Sequence, residues 1–263
     1  MGWQTRAMRE SDHKGIALVT GAAHRVGAVI ARRLAASGYA VIVHHHASAK
    51  SAEALVAEIE AAGGRAATVH ADLTDRRQRA GLTAAAAWPF GPLTVLVNNA
   101  SVYEPDSAET LDYAVWDRHF ALHAEAPLFL TRDFAAQLPE GVEGNVINIV
   151  DARVLTPTPD YMSYALSKTA LFNATRTLAQ SLAPRIRVNA VGPGPTLPER
   201  GQTEAAFREI ADRMPLGHGS APEDIAAAIL YLLSARSVTG QMLTVDGGFH
   251  LQWPDGAGST PRQ

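Results

Sequence analysis

The chain has no cysteine. That excludes disulfides, thiolate metal centres and a cysteine nucleophile together, and it fits a reducing compartment. Neither sign of charge dominates: 23 Lys plus Arg against 26 Asp plus Glu leave a formal net charge of −3. Such a balance supplies no net attraction to nucleic acid or anionic lipid, so neither is an expected partner. Long apolar runs are missing as well. The longest uncharged stretch, Ala80 to Tyr103, is interrupted by Pro89, Gly91, Pro92 and two asparagines, whereas a bilayer-spanning helix needs about 20 mostly apolar residues. The opening MGWQTRAMRESDHKG carries mixed charge and no apolar segment of a secretory signal. The expectation is a cytoplasmic protein.

What is present is an ordinary globular balance, with 47% hydrophobic and 19% charged residues in 263, enough for one large domain or two small ones. After a polar leader, residues 1–14, comes Ile16 to Val19, a short apolar run bounded by turn signals and read as a strand. A helix runs on to about Ser37. Further strands are expected at Val41–Val43, Ala66–Val69, Leu93–Val97, Asn145–Val150, Ile186–Val191 and Met242–Val245. Helical patterns lie between them at Ser51–Ala62, after Asp75, at Tyr161–Leu182, at Thr203–Arg213 and at Glu223–Ser234. Strand and helix alternate throughout. The pattern predicts an α/β fold: one Rossmann-like domain over 15–253, a doubly wound parallel sheet with helices on both faces. The turn-rich segment 254–263 reads as a flexible tail.

Between the first strand and the first helix stands Thr20-Gly21-Ala22-Ala23-His24-Arg25-Val26-Gly27. A sharp turn there would aim backbone N–H groups at a pyrophosphate. Arg25 within it could reach phosphate or an anionic substrate, or face solvent. An NAD-selective site usually ends the second strand with Asp or Glu to hold the ribose 2′-hydroxyl. This chain offers His44-His45-His46-Ala47-Ser48 instead, so a 2′-phosphate can be met by His46, Ser48 and Arg25, and NADPH (NADP) is the expected cofactor. Adjacent histidines in a strand point to opposite faces, so no metal site is expected. Asp72 and Leu73 end the third strand near the adenine position, and Asn98-Asn99-Ala100-Ser101 ends the fourth.

Tyr164 and Lys168 share a face of a predicted helix. A neighbouring ammonium is expected to lower a tyrosine pKa of about 10 so that it can exchange protons near neutrality. These two, with Thr20-Gly21…Gly27, Asp72, Asn98-Asn99-Ala100, Pro193-Gly194 and Val245-Asp246-Gly247-Gly248, resemble the short-chain dehydrogenase/reductase family over about residues 15–250. Arg25 in the first loop, Tyr103 after Asn-Asn-Ala-Ser, and Asp151 in Asn148 to Ala152 are similar to pteridine reductases in particular. The resemblance implies Asp151, Tyr164 and Lys168 as the catalytic residues. It also implies a cofactor site of Gly21, Arg25, Val26, His46, Ser48, Asp72, Leu73, Asn99, Ala100, Ser101, Tyr164, Lys168, Pro193, Gly194 and Thr196. The substrate would be held by Arg25, Ser101, Tyr103, Asp151 and Tyr164. Two positions depart from the pattern: His123 stands where the family usually has asparagine, and Ala47 where pteridine reductases often have arginine.

A carboxylate opposes the oxyanion of a reduced ketone unless it is protonated, but suits a C=N bond whose nitrogen must take a proton. The expected activity is therefore NADPH-dependent reduction of a pterin or dihydrofolate, a small-molecule substrate. The alternatives are a carbonyl reductase of ketones or 3-oxoacyl groups, and a non-catalytic nucleotide sensor. Residues 195–219 read as a mobile substrate loop. The resemblance further implies a homotetramer, with apolar Ile225, Ile229, Leu230, Leu232 and Leu233 of the last helix as candidate subunit-contact residues.

Overall fold

The computed structural model describes residues 13–198 and 201–251; the tail 254–263 and most of the leader lie outside the described residues. The chain order is β1 (Ile16–Val19), α1 (Arg25–Ala36), β2 (Ala40–His45), α2 (Ala49–Ala61), β3 (Arg65–His70), α3 (Arg76–Ala80), α4 (Leu82–Ala87), β4 (Val95–Asn98) and α5 (Tyr113–Phe120). It continues with a π-turn (Ala121–Glu125), α6 (Ala126–Gln137), β5 (Gly144–Ile149), α7 (Met162–Leu182), β6 (Ile186–Pro193), α8 (Glu204–Asp212), α9 (Pro222–Ser234) and β7 (Met242–Val245). Short 3-10 turns occupy Ala152–Val154 and Phe249–Leu251.

The strands form one parallel sheet in the order β3-β2-β1-β4-β5-β6-β7. Successive strand side chains face opposite ways, and both faces here are covered. Ala17 and Val19 pack with Ile30 and Leu34 of α1 and Ile225 and Ile229 of α9. Ile16 and Leu18 pack on the other side with Leu82 of α4 and Leu130 and Phe134 of α6. Burial on both faces is why these strands read as unbroken apolar runs.

Two expectations need correcting. On α9, Ile225, Ile229 and Leu232 are fully covered, Leu233 is 8% exposed, and Leu230 packs on the same cluster. Most of their apolar surface belongs to the core beneath α1 and the sheet; Leu230 is half-buried, and Tyr231 is the large apolar residue that α9 turns outward. The second correction adds helices α5 and α6 between β4 and β5, where the alternation along the chain marks none and only the resemblance sets a central helix around His123. Asp112 starts α5 by accepting from the N–H groups of Ala114 and Val115. Pro127 follows the π-turn, in the first turn of α6.

Because β1 has β2 on one side and β4 on the other, the connections leave in opposite directions and open a crevice beyond their carboxyl ends. Thr20, Gly21 and Asn99 stand at that opening.

Candidate active site

The first loop is held from three sides. Thr20 Oγ1 accepts from the N–H groups of Asn99 and Ala100 at 2.9 and 3.0 Å. The Asn99 amide donates back to the carbonyls of Thr20 and Gly21. Gly21 has φ +62, and a Cβ on it would meet Ala100 Cα at 2.9 Å; one on Gly27 would meet the Gly21 carbonyl at 2.4 Å. The third anchor, which the sequence did not disclose, is His44. Its Nδ1 accepts from Gly21 N–H at 3.0 Å, which leaves the proton on Nε2, 3.1 Å from the Ala71 carbonyl. Burial pushes its pKa down to about 4, so the ring is neutral at physiological pH. The N-terminus of α1 carries no side-chain cap. An uncapped helix start beside a glycine turn fits a dinucleotide pyrophosphate.

Toward β2 and β3, His46 is exposed and its Nε2 lies 3.7 Å from Asp72. Asp72 accepts from the Thr74 N–H and hydroxyl. Ser48 stands at the start of α2 with its hydroxyl not used as a cap. Leu73 differs from expectation: its side chain is core and its carbonyl is taken by Arg79, so at most its N–H faces a ligand. Among the described residues, no group of three or more His, Asp or Glu is arranged to hold a metal ion.

The three expected catalytic residues come together at the ends of β5 and α7. Tyr164 Oη donates to Asp151 Oδ2 at 2.8 Å, and Asp151 Oδ1 accepts from Arg153 N–H at 2.7 Å. Lys168 Nζ donates to the Ile149 carbonyl at 2.9 Å and lies 5.7 Å from the centre of the Tyr164 ring. Burial, reinforced by the Asp151 charge and hydrogen bond, raises the Tyr164 pKa well above its ordinary value. This reverses the expectation that Lys168 lowers it: burial dominates, and the Asp151 carboxylate adds to it. Burial also brings Lys168 down to about 8, with Asp151 opposing the shift.

A cavity of about 220 Å³ opens over this pair, lined by Arg25, Val26, Tyr103, Asp151, Arg153, Tyr164 and Gly194 to Leu197, with Phe207, Ile210 and Phe249 closing it. Arg25, at φ +51, donates to the carbonyls of Leu197 and Pro198. One face of Tyr103 is stacked on Tyr161, with centroids 4.0 Å apart, and its ring meets Tyr164 edge to face at 4.7 Å. Ser101 lies beside His123, 3.0 Å from Nε2. At the end of β6, Gly194 donates to Val245 O, and Thr196 Oγ1 donates to Gly194 O. Asn99, Ala100, Pro193, Gly194 and Thr196 thus all line the carboxyl edge of the sheet. Within the expected loop 195–219, the helix expected at Thr203–Arg213 is α8 (Glu204–Asp212), and residues 199 and 200 lie outside the described part. Arg153, Phe207, Ile210 and Phe249 were not anticipated; they reach the cavity from loops and a second helix whose spacing carries no motif.

A nucleotide-cradling loop, a Tyr-Lys pair on one helix and a parallel sheet define a dinucleotide-dependent oxidoreductase. The chain belongs to the short-chain dehydrogenase/reductase family, its residues 21–250 matching the family described as Enoyl-(Acyl carrier protein) reductase. Among solved structures it is similar to FolM alternative dihydrofolate reductase 1 from Brucella canis complexed with NADP, at 44% identity and TM-score 0.89, covering 93% of this chain and 98% of that one. An uncharacterized oxidoreductase of Methylorubrum extorquens is 40% identical over 243 residues, 89% of this chain and 96% of that protein. Pteridine reductase 1 of Leishmania tarentolae is 32% identical over 287 aligned residues, 93% of this chain and 99% of that protein. No helix among the described residues is long and apolar enough to cross a membrane.

Proposed function

We propose that the chain is an NADPH-dependent reductase of a C=N bond in a pterin or dihydrofolate. The observation that carries this reading is the hydrogen bond from Tyr164 Oη to the Asp151 carboxylate inside the cavity. A hydroxyl donor at position 151 would suit a ketone oxygen, which gathers negative charge. A carboxylate there opposes that charge and instead accepts N–H bonds from an amino-bearing heterocycle. The likeness to the Brucella and Leishmania proteins, named for dihydrofolate and pteridine reduction, supports the same choice.

When bound, NADPH supplies the hydride. Gly21, Val26 and Asn99 frame its pyrophosphate end, His46, Ser48 and Asp72 its adenosine end, and Pro193, Gly194 and Thr196 its nicotinamide end. Tyr164 Oη holds a proton throughout the neutral range and releases it to the substrate nitrogen. Lys168, protonated below about pH 8, offsets the phenolate that remains. Asp151 orients the Tyr164 hydroxyl and, when protonated, returns a proton to it. Arg25 and Tyr103 hold the heterocycle, Tyr103 through its ring.

The reading includes a homotetramer with α7 at a subunit contact, since Leu166 on that helix is 45% exposed; a monomer in light scattering at micromolar concentration would remove that part. The test of the function itself is a turnover screen of dihydropterins, dihydrofolate and ketones with NADPH. Faster turnover of a ketone than of every dihydropterin would overturn it.

A further inference from the structure

Two buried imidazoles beside the catalytic tyrosine have no part in the chemistry above. His119 and His123, 0% and 1% exposed, stack one turn apart with ring centres separated by 5.4 Å. Both rings meet the Tyr164 ring at a steep angle, at 5.8 and 5.3 Å. Each is wired in the same sense. His123 Nε2 accepts from Val102 N–H at 3.1 Å, and a backbone N–H can only donate, so the ring proton is on Nδ1, which donates to Ser167 Oγ at 2.9 Å. Ser167 in turn donates to the Tyr164 carbonyl at 2.7 Å. His119 Nε2 accepts from Glu104 N–H at 3.4 Å, and its Nδ1 donates to Ser163 Oγ at 2.7 Å. The Ser163 N–H returns to the Asp106 carboxylate at 3.1 Å.

The two rings therefore tie the segment 101–106, which leaves β4, to the turns of α7 that carry Tyr164 and Lys168. Tyr103 sits midway along that segment, between the Val102 and Glu104 anchors. We propose that His123, with His119 behind it, is a positioning residue that fixes Tyr103 over the active site through the acceptor lone pair at Nε2. The role requires the neutral ring: an imidazolium would set Nε2–H against Val102 N–H, with only Ser101 Oγ, 3.0 Å away, left to accept it. The surroundings enforce neutrality. Burial lowers the His123 pKa well below its ordinary value, and Lys168 and His119 lower it further. Burial likewise lowers His119; Asp106 and Glu104 oppose the shift, while Arg118 and Lys168 add to it.

The inference rests on the reductase reading of the site but not on which compound is reduced. Its test accordingly uses whichever of 7,8-dihydrobiopterin and a cyclic ketone the wild type turns over faster. A preference for the ketone would end the pterin reading and leave this experiment intact. Glutamine and asparagine split the imidazole into halves: a Gln amide oxygen reaches about as far as Nε2 and can accept from Val102, whereas Asn reaches only as far as Nδ1. His123→Gln should keep KM near the wild-type value at pH 7.5. His123→Asn should raise KM by about 10–100-fold, the scale of an ångström of misplacement. In a Tyr103→Ala background, His123→Asn should add little further to KM, since both act through one contact. Equal KM values for the Gln and Asn variants, or full additivity with Tyr103→Ala, would each overturn the proposal. Folding is followed by thermal melting, and the Gln variant keeps the test alive if the Asn variant does not fold.

Discussion

The Tyr164 hydroxyl points its proton at Asp151 Oδ2, 2.8 Å away, while Lys168, four residues on, turns to the carbonyl of Ile149. A buried phenol facing a carboxylate resists ionisation and is therefore an acid rather than a base at neutral pH. Tyr164→Phe removes the hydroxyl and keeps the ring. It should lower kcat by about 10²–10⁴-fold, the usual worth of a positioned proton donor, with NADPH affinity by fluorescence titration nearly unchanged. Substantial residual turnover would remove Tyr164 as donor.

Lys168 titrates near pH 8 because it is buried. The lysine is charged below that value and neutral above it, so kcat/KM for reduction should fall as the pH rises through about 8. Lys168→Arg keeps a cation at every accessible pH. Whatever activity that variant retains should lack the alkaline fall. Lys168→Ala should weaken both turnover and cofactor binding.

His44 links stability to pH. Its folded pKa of about 4 lies below the ordinary value of 6.5, so the unfolded chain takes up a proton first as the pH drops. The neutral ring's contribution is complete above pH 6.5 and is lost as the pH falls toward 4. The loss is about 3 kcal/mol, from roughly 1.4 kcal/mol per pH unit. His44→Asn offers an oxygen to Gly21 N–H without titrating. Urea denaturation at pH 7 and pH 4.5 should show a smaller acid loss in the variant than in wild type.

The adenosine end predicts a preference for NADPH. His46 and Ser48 place no carboxylate at the end of β2, and Asp72 is 3.7 Å from His46 Nε2. His46→Glu should shift the kcat/KM ratio toward NADH by about tenfold, equivalent to roughly 1.4 kcal/mol. Wild-type kcat/KM values that are equal for the two cofactors would count against the assignment.

Much of this was legible in the sequence, for identifiable reasons. β7 falls on Met242–Val245 as expected, because its apolar run is bounded by turn residues. The Tyr164–Lys168 pair was readable from four-residue helix spacing, and Asp151 from the resemblance to pteridine reductases. His44 was not, because nothing in three consecutive histidines says which ring turns inward to Gly21. The share of α9 given to the core was hidden by an apolar surface that core and interface share. The Tyr164 pKa was anticipated with the wrong sign because spacing shows that Lys168 is near, not that the phenol is buried against Asp151.

The central claim is that the Asp151–Tyr164 pair serves a C=N substrate. Its most direct test is Asp151→Ser, assayed with NADPH on 7,8-dihydrobiopterin and on a ketone. Serine keeps a hydrogen-bonding group and removes the carboxylate. Turnover of the dihydropterin should fall by about 10²–10⁴-fold, while any ketone turnover holds steady or rises. A parallel fall with both substrates would contradict the account and leave Asp151 as the cap of the Ala152–Val154 turn, a role its bond to Arg153 N–H already gives it.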